Sequence, residues 1–122
     1  MSASRASLML MRICAGIQVV LGIGFWTGHW SQFVNAHRTI GMVYVLTLWI
    51  IAALAMRAPS LRALAMGSIA WGLVIAGFGM AQQGIFVGDY HWIIRVLHLV
   101  IALSAMPLAE RLARPVEVAV TA

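Results

Sequence analysis

Charge is what this sequence has least of. Aspartate, glutamate and arginine together make up 9% of the 122 residues, and lysine is absent. A water-soluble domain usually carries about a quarter charged residues to cover its exterior; this chain cannot do so. The acids are the scarcest class, at three against eight arginines, so the basic balance reflects missing carboxylates rather than a basic patch. Nucleic acid is therefore not an expected partner, because binding it needs cations clustered on a water-facing surface. Cysteine is nearly missing too. Cys14 alone excludes an intrachain disulfide and a cysteine-based metal cluster, and inside an apolar run it reads as a small packing residue.

Hydrophobic residues fill the space, at 63% of the chain. Bilayer lipid is the solvent that suits such a composition. A spanning helix needs about 20 mostly apolar residues, so four spans consume about 80 and leave only short loops. The expectation is an all-α integral membrane four-helix bundle, one domain over residues 1–122. Its spans are placed at about 8–26, 37–56, 64–81 and 91–108. Met1 to Gly24 superficially resembles a secretory signal, but Arg12 interrupts it and the apolar stretch is too long, so it is read as an uncleaved first span. Ser31 is a plausible cap for the second helix, with the helix starting early, and Ser60 for the third. Pro107 should kink the fourth span, and Pro115 should end its helix ahead of a frayed tail.

The arginines set the expected orientation. Arg5, Arg12, Arg57, Arg62, Arg111 and Arg114 fall on one side, and only Arg38 and Arg95 towards the other. Positive residues stay inside, which places both termini and the Arg57 turn in the cytoplasm of a bacterial-type inner membrane. Trp26, Trp30, Tyr90 and Trp92 gather at the opposite boundary as an aromatic belt. A weak internal echo, Leu21-Gly22-Ile23-Gly24-Phe25 against Ile75-Ala76-Gly77-Phe78-Gly79, hints at two related helical hairpins.

All four histidines, His29, His37, His91 and His98, lie towards the outer half. Ionisable residues in spans are costly and usually mark function. His29 falls in a connector and reads as a solvated interfacial residue. His91, Arg95 and His98 stand at i, i+4 and i+7, so they share one face that lipid would reject. On the second span, Gly41 follows His37 one turn later and leaves a hollow in which a flat macrocycle could lie. His37 and His98 lie at depths that differ by about 6 Å, judged from the helix rise to Arg57 and Arg114. Two such imidazoles can take both faces of one haem iron, leaving no open iron position. Arg95, and likewise Arg38, could pair with haem propionates. A single buried histidine can instead be an interhelical hydrogen bond. A zinc or copper site built from the four histidines is disfavoured by their spread and by the lack of a supporting acid or thiol.

These motifs resemble one half of the haem A synthase family, whose members look like two fused four-helix bundles. Gln18-Val19-Val20-Leu21-Gly22 matches the element in the family's first helix. Ala36-His37-Arg38 matches the His-Arg pair that opens the second helix. Val96-Leu97-His98-Leu99 matches the ligand histidine of the fourth. The likeness covers about residues 11 to 114. It implies haem b held by His37 and His98. Two features of the family are missing here. The glutamate three residues before the His-Arg histidine is Val34, and the outer cysteine pair is absent. The resemblance therefore points to the half that only holds haem b rather than the half that oxidises it.

Three functions follow as expectations. The first is a membrane b-type cytochrome passing electrons to a membrane or periplasmic redox partner. The second is a half-size haem-modifying enzyme working as a homo-oligomer. The third is a haem-free accessory subunit of a larger complex. Enzyme activity is left undecided, with the electron carrier favoured by Val34.

Overall fold

Long apolar runs fold as helices here, an arrangement in which each backbone amide finds its partner within its own segment. The computed structural model describes the backbone of residues 1–121 and the side chains of residues 1–114. It contains five helices: α1 (Ala3–Trp26), α2 (Val34–Ala55), α3 (Arg62–Ala81), α4 (His91–Leu103) and α5 (Ala105–Thr121). Short 3₁₀ turns precede α2 (Ser31–Phe33), precede α3 (Pro59–Leu61) and follow α3 (Gln82–Gly84). Four helical stretches are long and apolar enough to cross a membrane: Ala3–Trp26, Ser31–Ala55, Pro59–Gly84 and His91–Arg114. Large apolar side chains are exposed along all four, Leu73 and Val100 among them. In a water-soluble protein such an exterior would be an aggregation hazard.

The helix ends show which local signals were obeyed. Ser2, not foreseen as a cap, accepts from the Arg5 amide and starts α1 at Ala3, five residues ahead of the expected span. Ser31 and Ser60 do not cap: both fall inside 3₁₀ turns, and no side chain caps α2 or α3. The early start of the second span is as expected, because the Ser31 turn runs directly into α2. α1 ends in a Schellman arrangement. Gly28 adopts φ +79°, the His29 amide donates to Gly24 O at 2.8 Å, and the Gly28 amide donates to Phe25 O at 3.1 Å. Trp30 follows at φ 63°, and its indole lies where a side chain on residue 24 would otherwise stand.

The fourth span is broken at Ser104, three residues before Pro107. Proline has no N–H to give to the carbonyl four residues earlier, so the ladder opens there. Side chains from other helices take hold of the break. Tyr44 Oη donates to Ala102 O at 2.7 Å, and Trp71 Nε1 donates to Ser104 Oγ at 2.8 Å. Pro115 does not end the helix, contrary to expectation: α5 continues to Thr121. One proline removes a single hydrogen bond, and a helix can absorb the clash by bending instead of stopping.

Arg12 Nη2 meets Glu110 Oε1 at 2.8 Å, joining the start of α1 to α5. The start of α1, the described part of α5 around Glu110 and the Arg57 turn therefore lie at one end of the bundle, called here the terminal end. The 27–33 and 82–90 connectors lie at the other.

Burial is unevenly divided between these ends. Met11 and Cys14 of α1, Tyr44 to Ala55 of α2, Ala65 to Ile75 of α3 and Ala105 to Ala113 of α5 supply the packed core. Most of these lie in the terminal half, with Ile75 past the middle of α3 towards the connectors. Among the described residues of the connector half, Gly24, Ile75 and Ile94 are buried. Small residues account for the tight half: Gly72 lies directly against the Trp49 indole, whose N–H reaches Ile69 O at 3.1 Å.

Candidate functional site

The loosely packed connector half is where the histidines stand. α2 carries His37 in its first turns, and α4 carries His98 two turns from its start. Their ring centres are 6.4 Å apart, with planes inclined by 50°. Both are half-buried. One metal held between two imidazoles by bonds of about 2 Å, with about 1 Å from each nitrogen to its ring centre, separates those centres by about 6 Å. The observed pair has that spacing.

Two phenylalanines wall the pair. Phe25 of α1 stands edge-on to His37, with ring centres 5.2 Å apart, and Phe78 of α3 stacks on His98 at 6.2 Å and 17°. Both belong to the internal echo in the sequence. Each hairpin thus supplies one phenylalanine to its own histidine. Sequence reasoning noticed the echo without assigning these rings a place. A Cβ at Gly79 would come within 3.2 Å of His98 Cε1, so glycine lets the imidazole sit close to α3.

Two buried polar atoms in this region lack a partner: His37 Nδ1 and Gln18 Oε1. An unsatisfied buried polar atom costs about 1–3 kcal/mol, and native proteins seldom leave one without a reason. Gln18 lies beside Gly41, one turn from His37, and a Cβ on residue 41 would stand 2.7 Å from Gln18 Nε2. The space at Gly41, expected to be an open hollow, is taken up by the Gln18 amide.

The remaining polar residues are separate. His29 is exposed, with Nδ1 3.2 Å from Thr27 Oγ1. His91 shares a face of α4 with Arg95 and His98, but its Nδ1 faces Ile85 O at 3.2 Å, in the connector. Arg38 and Arg95 are exposed, and neither has a hydrogen bond or ion pair to the described residues. No set of three or more histidine, cysteine, aspartate or glutamate side chains gathers among the described residues. Two donors alone do not complete the coordination of zinc, which takes four ligands.

No protein-family model, curated protein or solved structure matches the chain.

Proposed function

We propose that this chain is a multi-pass protein of a bacterial-type cytoplasmic membrane that holds haem b between His37 and His98 and serves in electron transfer. The observation that carries this reading is the 6.4 Å separation of the two imidazoles, on different helices, in the open half of the bundle. The unpartnered His37 Nδ1 supports it, as a buried imidazole nitrogen with no hydrogen-bond partner among the described residues. The resemblance of Gln18 to Gly22, His37-Arg38 and His98 to the haem b-holding half of the haem A synthase family points the same way.

Bound haem would supply a one-electron couple, and His37 and His98 would hold it. The chain's own residues do the rest. Phe25 and Phe78 fix the planes of the imidazoles and keep water from their faces. Gly79 lets His98 approach α3. Arg38 and Arg95, both exposed at the connector end, are placed to pair with carboxylates. Val34 offers no proton acceptor where the oxidising half of the family has a glutamate, which favours an electron carrier over a haem-modifying enzyme.

The test is the reduced-minus-oxidised spectrum of the purified protein and of three variants. Wild type should show a low-spin b-type signal. His37→Ala and His98→Ala should each abolish or convert it, while His29→Ala should leave it nearly intact. A normal bis-histidine spectrum in His98→Ala would overturn the assignment.

A further inference from the structure

At the terminal end, a groove of about 420 Å³ runs between α1 and α5. Arg5, Leu8 and Arg12 line it from α1, and Glu110, Ala113 and Arg114 from α5. Positions 5, 8 and 12 form one stripe of α1, and 110, 113 and 114 one stripe of α5. Guanidinium groups thus alternate with apolar side chains along its length. Arg5 and Arg12 differ in height by about 10 Å, so the groove reaches from the helix start down towards the hydrocarbon.

Among the described residues Glu110 is the acid that lines it, and it is bonded to Arg12. This end of the chain holds six arginines, at positions 5, 12, 57, 62, 111 and 114, against Glu110 and Glu117. Positive charge is in excess there however the individual pairs are made. A guanidinium also carries five donors, more than one carboxylate can use.

From this we infer that the groove is a binding site for an anionic phospholipid, with its phosphate between Arg5 and Arg114 and its acyl chains along Leu8 and Ala113. Basic pockets between spanning helices on the cytoplasmic side recognise such headgroups. Charge complementarity selects an anionic over a zwitterionic lipid, and the apolar wall selects a lipid over a free phosphate ion. The inference rests on the membrane placement proposed above.

The experiment titrates the purified full chain in detergent with phosphatidylglycerol, with phosphatidylcholine of the same acyl chains, and with inorganic phosphate. Retention is read by native mass spectrometry and thermal shift. Phosphatidylglycerol should be retained and should raise the melting temperature, and the other two should not. Arg5→Gln with Arg114→Gln should bind phosphatidylglycerol about thirtyfold more weakly. Arg57→Gln with Arg111→Gln removes the same charge outside the groove and should bind as wild type does. Equal retention of both lipids, equal loss in both double variants, or protection by inorganic phosphate as strong as by lipid would each overturn the site. Carbonate extraction of wild-type membranes separates the two proposals. Release of the chain would remove the membrane placement and the lipid site together; a chain that stays but shows no lipid preference would remove the lipid site alone.

Discussion

Arg95 is one turn from His98 on the same face of α4, and it is exposed without a carboxylate among the described residues. Asp89 is the acid nearest to it in sequence, but at i−6 it lies off that face. A guanidinium in or near the hydrocarbon region gains from any anion within reach. In the proposed cytochrome that anion is a haem propionate. A fixed positive charge near the iron favours its less positive, reduced state, and so raises the midpoint potential. Arg95→Leu should therefore lower the potential and loosen haem retention while leaving the axial ligands in place. Redox titration of that variant checks the assignment. An unchanged potential at full haem occupancy would give Arg95 another role.

At the scale of the helices, the two halves of the bundle answer to different residues. In the terminal half, α2 and α3 approach closely because Gly72 makes room for the Trp49 indole. Any side chain at position 72 would meet that ring, and the ring is held by its bond to Ile69 O. Gly72→Leu should destabilise the fold by about 1–3 kcal/mol, as over-packing generally does. Unfolding of the purified variant in mixed micelles would measure it, and a stability equal to wild type would mean that Trp49 swings clear. Near the middle of the fourth span, the break at Ser104 separates α4 from α5. Tyr44 and Trp71 then hold the break itself. The helix that carries His98 is thus anchored near its inner end and left less tightly packed towards its start.

For the whole molecule, orientation is the property with the widest consequence, since it decides which compartment the histidine pair faces. Six of the eight arginines lie at the terminal end, and arginine-rich ends stay in the cytoplasm. Reporter fusions after Ala122 and within the 82–90 connector should report opposite sides, with the former cytoplasmic. A C-terminal reporter active only outside would invert the placement of the site and of the basic groove.

Composition and spacing determined a good deal of this protein by themselves. Four apolar stretches of spanning length leave helices as the economical solution, because each backbone amide must find its partner within its own segment. The interruption of the fourth stretch follows from Pro107, which lacks the one hydrogen needed there. The histidines at positions 37 and 98 stood out because ionisable groups are rare in such helices. Helix ends were harder to read. Ser31 and Ser60 have the chemistry of caps, but the chain entered α2 and α3 through 3₁₀ turns, and Pro115 was passed without a stop. Capping and stopping are worth only about 1–3 kcal/mol each, which neighbouring contacts can outweigh. Tertiary structure alone decided which residues meet. Spacing along one helix cannot say that Phe25 faces His37, that Gln18 fills the space beside Gly41, or that His91 turns to the connector. Nor can it say that the core closes at one end and stays loose at the other. Those outcomes depend on how helices cross, and crossing is settled by contacts between residues far apart in the chain.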